Sequence, residues 1–174
     1  MTDQIKHKPF EIYRASDERD YGEHGIQEMV DPSPVALAAL CQFSGAGATA
    51  GAKVTMAYSR PGFSLTKVWF KSSYPLPLHS HSGGCLYHIT AGSIRIGEDT
   101  LGPGDGFFVE CDVPYTYEIG PQGVEVLEFR ATDRMDIRFR AKGKAAWDKL
   151  VTRENARREV WTAELPPSQV PAGD

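Results

Sequence analysis

The sequence predicts an all-β domain, and three observations support that class. Between Lys53 and Phe129 it carries short runs rich in β-branched and aromatic residues, separated by Gly and Pro at close spacing. These runs do not alternate with long helical patterns, which argues against a parallel α/β sheet. The chain has 174 residues, enough for one domain with a sizeable core and too few for two comfortable ones.

Residues 1–52 are predicted to form an N-terminal arm. The first 31 residues are polar and dense in charge, without a clear period, and so predict an irregular segment. The following Asp-Pro-Ser-Pro marks a turn or a helix start. The run from Val35 to Cys41 is too short for its periodicity to separate two helical turns from a buried strand. Residues 45–51, rich in Gly and Ala, lack the context of a phosphate-binding loop and predict a flexible connection.

Residues 53–140 are predicted to form the β domain, and residues 141–174 a C-terminal helix and tail. In the strand over 64–71, the core side stays ambiguous because lysine stems can lie along apolar surface. Residues 135–139 could add one edge strand. After Lys142 the pattern becomes helical, but its apolar stripe fails between Thr152 and Glu159, so we expect one short helix or two broken ones.

Two histidines separated by a single residue, His79 and His81, are the candidate metal ligands. Side chains two positions apart on a strand share one face, so both imidazoles would point the same way. A polar pair at a strand end is the alternative interpretation. Imidazole nitrogens bind several transition metals, so the pair alone does not name the ion.

The sequence around these histidines resembles the cupin superfamily over about residues 50–132. The first cupin motif reads G-x5-H-x-H-x3/4-E-x6-G, and here His79, His81 and Gly92 match it. Cys85 stands in the place of the Glu and Ser73 in the place of the first Gly. In the second motif, G-x5-P-x-G-x2-H-x3-N, only Gly104 matches; the usual Pro, Gly, His and Asn positions hold Glu110, Asp112, Tyr115 and Ile119.

The resemblance implies a cupin-type jelly-roll barrel with an N-terminal arm and a short C-terminal helical segment. It also implies one divalent transition metal, Zn, Fe, Ni or Mn, in a site near the barrel mouth. Gly92 would close a hairpin at the cupin distance, and the pair Gly83-Gly84 would let the chain turn before Cys85 begins the next strand. Cupins commonly pair through edges and arms, so a homodimer is expected.

Cys85 is the third candidate metal ligand. In phase with the cupin pattern, Cys85, Tyr87 and Ile89 point into the barrel and His88 points outward. A thiolate there would favour Zn or another metal that tolerates soft ligands. The alternative is a buried free cysteine that packs as a small hydrophobe.

Three further residues are the candidate catalytic groups. Tyr115 occupies the position of the missing motif His, as a metal-binding phenolate or as a neutral hydrogen-bond donor. Tyr117 is predicted to line the pocket wall, as is Tyr87, with core packing as the alternative for both. Glu128 could supply a carboxylate from the last strand if its face is the inward one.

The resemblance and the histidine pair predict a metal-binding cupin. The favoured interpretation is an enzyme of the dioxygenase, lyase or isomerase type that acts on a small polar organic molecule. A non-catalytic small-molecule sensor or binding module is the alternative, favoured by the eroded second motif. The net charge of −4 gives no overall attraction to nucleic acid. An odd number of cysteines, no apolar leader and no long apolar run predict a cytoplasmic protein without a disulfide scaffold or membrane contact.

Overall fold

The computed structural model describes residues 9–20, 27–44, 51–133 and 135–170. The prediction of a flexible connection at 45–51 falls almost wholly outside these ranges, as do parts of the predicted arm and tail. Within them lie ten strands and two α-helices: β1 (Arg19–Asp20), β2 (Gln27–Met29), α1 (Pro34–Ser44), β3 (Ala52–Arg60), β4 (Phe63–Phe70), β5 (His79–Ser80), β6 (Cys85–Ile96), β7 (Asp99–Leu101), β8 (Gly106–Val109), β9 (Glu118–Arg130), β10 (Met135–Phe139) and α2 (Lys144–Thr162).

The larger sheet has seven strands in the order β1-β3-β4-β9-β6-β7, with β8 pairing to β6 beside this path. All its pairings are antiparallel. The smaller sheet has the order β2-β10-β5, in which β2 runs parallel to β10 and β5 antiparallel to it. The strands of the described residues therefore form a two-sheet jelly-roll sandwich, without closing into one barrel. The predicted all-β class with a C-terminal helix is confirmed.

Strands β6 and β9 form the centre of the larger sheet, and each buries one face. Cys85, Tyr87 and Ile89 are buried while the residues between them are exposed, because successive strand side chains point to opposite faces. On β9 the buried set includes Val126 and Glu128. The inward phase predicted for Cys85 is confirmed, and so is the outward one for His88, which is exposed.

Gly92 does not close a hairpin, which corrects the prediction. It lies inside β6, where register shifts on either side of it mark bulges in the pairing with β9. Its φ is +76°, and a Cβ there would lie 2.1 Å from the backbone oxygen of Gly123. The residue is glycine because the strand bends through a left-handed backbone conformation directly against its neighbour.

The predicted N-terminal arm is more ordered than expected. Strand β1 extends the larger sheet, β2 joins the smaller one, and the ambiguous run from Val35 to Cys41 lies in α1. Ala36 and Ala39 of α1 are buried and pack with Trp147 of α2. The small side chains let the two helices approach closely, so α1 is held against the domain by α2.

Helix α2 is one continuous helix of 19 residues. The stripe of apolar residues in its sequence is interrupted in the middle because the buried position there holds Glu154, which is 1% exposed. Glu154 pairs with Arg158 at 2.9 Å. Near the helix end, the Trp161 indole donates a hydrogen bond to the Ser72 carbonyl at 2.9 Å. In the part of the chain that the structure describes, neither helix has the length and apolarity to cross a membrane.

Candidate functional site

His79 and His81 are both buried, with 5% of each side chain's surface exposed. His79 Nδ1 lies 2.7 Å from the backbone oxygen of Pro77, and His81 Nδ1 lies against the backbone oxygen of Asp136. A carbonyl oxygen only accepts hydrogen bonds, so each Nδ1 carries the proton. Each Nε2 is therefore an unprotonated lone-pair donor, which is the tautomer that a metal or an acidic proton requires.

The two Nε2 atoms converge on one oxygen, the hydroxyl of Tyr115. The distances are 2.9 Å from His79 Nε2 and 3.0 Å from His81 Nε2. Backbone pairing fixes this meeting point: the His79 N–H donates to the Tyr115 carbonyl at 3.1 Å, and the Tyr115 N–H donates back at 2.9 Å. The tyrosine at the position of the missing motif histidine is thus placed beside the histidine pair by the fold itself.

The Tyr115 hydroxyl also contacts the hydroxyl of Tyr87. Tyr115 has one hydroxyl proton, whereas two Nε2 lone pairs face its oxygen. If Tyr87 donates to Tyr115, and Tyr115 donates to one histidine, the other Nε2 receives no proton from this network. One buried lone pair is therefore available for a ligand or a cation.

Burial holds these groups in their neutral forms. It lowers the pKa of His79 to about 4, and the nearby His81 lowers it further in the same direction. Burial likewise lowers the pKa of His81 to about 4, against the opposing hydrogen bond to Asp136. The pKa of Tyr115 is raised far above its ordinary value by burial and by the negative charge of Glu128.

Glu128 lies on the inward face of β9 and is buried at 5% exposure. Its Oε2 accepts a hydrogen bond from Arg130 Nη2 at 2.5 Å, and Arg130 is itself 2% exposed. Arg130 Nη1 lies 3.3 Å from the Thr66 hydroxyl. Inward positions on one strand are two residues apart, so Glu128 and Arg130 both point inward. Arg130 therefore compensates the charge of a carboxylate that lies among the site residues.

Cys85 is buried beside this group but does not join the histidines. Its thiol lies 3.7 Å from the Leu86 carbonyl, and burial raises its pKa to about 12. It is not among the residues that line the neighbouring cavity. Within the described residues, no set of three His, Cys, Asp or Glu side chains is placed to hold a metal ion. The role of Cys85 as a metal ligand stays a prediction.

A cavity of about 210 Å³ opens onto the histidines. Tyr117, which is 6% exposed, forms part of its wall and packs against Phe70 and Tyr115 with ring centroids 6.3 Å away in each case. The described residues that line the cavity come from both sheets, from α1 and from the segments between strands: Gln27, Leu40, Ala52, Val54, Val68, Phe70, Tyr74, Leu76, Pro77, His79, His81, Tyr115, Tyr117, Glu128, Met135, Ile137 and Phe139.

Five of the six predicted site residues therefore meet in one place, His79, His81, Tyr115, Tyr117 and Glu128. The roles assigned to them stay predictions. Tyr87, a predicted candidate for the pocket wall, contacts Tyr115 there but is not among the described residues that line the cavity. The site also contains Arg130, which was not predicted as a site residue. It could have been found from the alternation of its strand, since it lies two residues after Glu128.

The donor set fits a transition metal in part. Two neutral imidazoles whose Nδ1–H groups are held by carbonyls are the usual arrangement of histidine ligands, and their lone pairs point at a shared oxygen. Tyr115 is the third donor that the geometry offers, because its oxygen already lies within 3.0 Å of both Nε2 atoms. It would have to lose its proton to coordinate a metal.

No family model matches the sequence, and no curated protein matches it. Among solved structures, the chain is similar to an RmlC-like cupin from Shewanella frigidimarina, with 21% identity, a TM-score of 0.42 and coverage of 48% of this chain and 78% of that one. It is similar to the polyketide cyclase RemF from Streptomyces resistomycificus, with 16% identity, a TM-score of 0.48 and coverage of 56% and 77%.

A third similar structure is oxalate decarboxylase from Bacillus subtilis, with 17% identity, a TM-score of 0.42 and coverage of 48% of this chain and 26% of that one. That enzyme contains Mn(II) centres. All three similarities, at 21% identity or less, concern the fold alone.

Proposed function

We propose that this chain is a metal-dependent enzyme of the cupin type that acts on a small organic molecule bound in the cavity. His79 and His81 would hold one divalent transition metal through their Nε2 atoms, with Tyr115 as the third protein donor. The observation that supports this most is the convergence of two unprotonated Nε2 atoms on one oxygen that carries a single proton. A metal ion satisfies both lone pairs at once, and a hydroxyl cannot.

Zn, Fe, Ni or Mn would supply a Lewis acid at this position, or an oxygen-activating centre in the case of iron. The residues of the chain have their own tasks. Pro77 and Asp136 hold the imidazole protons on Nδ1 through their backbone oxygens, which keeps both Nε2 atoms available. The Tyr87 hydroxyl, which contacts that of Tyr115, would donate a hydrogen bond to the Tyr115 oxygen once that oxygen has lost its proton to bind the metal.

Glu128, whose Oε2 accepts a hydrogen bond from Arg130, would orient a donor group of the bound molecule through its carboxylate. Arg130 compensates the charge of this carboxylate, and it is not among the described residues that line the cavity. The mainly apolar wall offers few hydrogen-bond partners to water beside these groups. Dioxygenation, lyase chemistry and isomerisation are the reaction classes compatible with this set, and the fold does not choose among them.

A non-catalytic binding module is the second candidate function. The observation that favours it is the position of the Tyr115 oxygen, which already occupies the point where the two Nε2 atoms meet. In this alternative the hydroxyl network itself is the polar end of a ligand pocket, and the chain senses or carries a small molecule.

Elemental analysis of untagged protein separates the two. We expect about one metal per chain in the parent protein and none in His79→Ala or His81→Ala, while all fold alike by circular dichroism. His88→Ala is the matched control, because His88 is exposed on β6 and makes no part of the site. The absence of metal even after supplementation with all four ions would leave only the binding module. Equal metal in His79→Ala, His81→Ala and the parent would refute the assignment of the metal to these histidines.

The role predicted for Cys85 has its own comparison. Cys85→Ser should weaken metal binding more than Cys41→Ser if the thiol neighbours the metal, since Cys41 lies exposed on α1. Equal affinity in the two variants would remove Cys85 from the site and leave the two histidines unaffected.

A further inference from the structure

The cavity has a polar part and a much larger apolar part. Hydrogen bonds and ring contacts join His79, His81, Tyr115 and Tyr117 into one contiguous group. The rest of the wall is mainly aliphatic or aromatic. Phe70 and Tyr74 stack there with ring centroids 5.0 Å apart and planes within 13°. A bound molecule would therefore keep most of its surface in apolar contact and present one end to polar groups.

The described wall carries no lysine or arginine side chain. Its one acidic residue, Glu128, is already paired with the buried Arg130. An ionised ligand would lose its hydration on entering and would find no protein counter-ion, which is costly in a buried site. The protein part of the cavity therefore favours an uncharged molecule over a carboxylate of the same size.

The volume sets the size of that molecule. An engineered cavity of about 150 Å³ in another protein is enough to bind benzene. The present cavity of about 210 Å³ has room for one six-membered ring with one or two small substituents. The stacked Phe70 and Tyr74 rings, and the edge contact of Tyr117 with Phe70, provide the offset and edge-on surfaces that aromatic rings prefer.

Tyr117 supplies the group that would recognise the polar end. Its side chain is 6% exposed and forms part of the cavity wall. Within the described ranges, no protein group hydrogen-bonds its hydroxyl, in contrast to the Tyr115 hydroxyl, which has three neighbours. A hydroxyl at a cavity wall, without a protein partner, is available to bind an oxygen of the ligand.

We propose that the cavity binds an uncharged monocyclic phenol, with its ring between the apolar walls and its hydroxyl at Tyr117. The inference rests on the proposed function only in placing the ligand in the same cavity. It does not require the metal, so the two proposals can fail separately.

The test is a titration of the full-length protein, after chelator treatment, with three probes of one shape: 4-methylphenol, toluene and 4-methylbenzoate. Ligand-observed NMR and calorimetry would report binding. We expect saturable binding of 4-methylphenol, weaker binding of toluene and none of 4-methylbenzoate. Failure of 4-methylphenol to bind, or equal binding of 4-methylbenzoate, would overturn the proposal, whatever the metal content of the protein.

Three variants locate the bound probe. Leu76→Phe would fill the cavity and should weaken the binding of 4-methylphenol at least tenfold. Leu78 is not among the described wall residues and is 36% exposed, so Leu78→Phe should leave the affinity unchanged. Tyr117→Phe should weaken the binding of 4-methylphenol about three- to tenfold, which is the range of one ordinary hydrogen bond. The affinity for toluene should stay unchanged, because toluene has no hydroxyl.

Equal losses for both probes in Tyr117→Phe would show that the tyrosine acts only as packing and would refute its assigned role. Unchanged binding in Leu76→Phe would place the probe elsewhere on the protein and refute the cavity as its site. The thermal unfolding transition of each variant serves as the check that it is folded.

Discussion

His79 and Tyr115 are joined twice, by a pair of backbone hydrogen bonds of 3.1 and 2.9 Å and by a side-chain hydrogen bond of 2.9 Å. The backbone pair does not depend on the identity of either side chain. The backbone hydrogen bonds therefore hold the two residues together whatever their side chains. We expect Tyr115→Phe to remove the hydroxyl without displacing the strand that carries His79.

Tyr115→Phe should destabilise the metal-free protein by about 1 to 3 kcal/mol, because both Nε2 atoms and the Tyr87 hydroxyl lose a buried hydrogen-bond partner. Tyr117→Phe is the matched control and should cost less, since no described group bonds its hydroxyl. Urea unfolding measures both. A smaller cost for Tyr115→Phe than for Tyr117→Phe would contradict the hydrogen-bond network.

The stability of the metal-free protein should fall as the pH falls from 6.5 towards 4. In the unfolded chain His79 and His81 have an ordinary pKa of 6.5, and in the folded chain burial lowers each to about 4. The unfolded state therefore binds more protons across this window. For one histidine this pKa difference corresponds to about 3 kcal/mol of unfolding free energy. That contribution is fully present above pH 6.5 and is lost as the pH falls to about 4.

Unfolding free energies measured between pH 4 and 7.5 test this dependence. His79→Gln should flatten the profile, because it removes one of the two groups that bind the extra protons. His88→Gln replaces an exposed histidine and should leave the slope as in the parent. A parent profile that is flat between pH 4 and 6.5 would show that the two imidazoles are not held neutral.

Gly92→Ala should be much more destabilising than Gly97→Ala. Both glycines have positive φ, +76° and +60°, so alanine is strained by about 1 to 2 kcal/mol at either position. Only at Gly92 does the added Cβ also meet backbone, 2.1 Å from the Gly123 oxygen, whereas Gly97 has open space. We expect a further loss of about 2 kcal/mol or more, measured by urea unfolding. Equal losses would mean that β6 and β9 can separate at the bulge without cost.

Trp161→Ala should cost about 3 to 5 kcal/mol, because the indole is completely buried and its N–H bonds the Ser72 carbonyl. Val160→Ala, next to it on α2 and 49% exposed, should change stability by less than about 0.5 kcal/mol. Comparable losses in the two variants would show that α2 does not dock through Trp161.

The histidine face and the inward phase of β6 could be predicted because both depend on a period of two within a short segment. The spacing of His79 and His81 and the alternation through Cys85 and Tyr87 require no knowledge of the partner strand. The sequence does not determine which face of its strand carries Glu128, and the structure places this side chain on the inward face. The predicted homodimer and cytoplasmic location stay predictions.

The remaining features depend on contacts between distant parts of the chain. Strand β2 pairs in parallel with β10, with Gln27 opposite Met135 more than a hundred residues later, and no local pattern indicates such a partner. Gly92 has the expected spacing for a hairpin, yet the bulges that let β6 continue past it involve its register with β9. Glu154 interrupts the apolar stripe of α2, although its pairing with Arg158 allows it to be buried.

The cavity wall includes Gln27 of β2 and Leu40 of α1, both from the part of the chain that precedes the larger sheet's main strands. Neither residue belongs to the group formed by the histidines and Tyr115. Part of the wall that a ligand would contact is thus encoded in a stretch of sequence separate from the histidines and Tyr115. Related chains could acquire different ligands through substitutions between residues 27 and 40 while keeping the same reactive groups, which is the direction in which engineered libraries of this protein would best be varied.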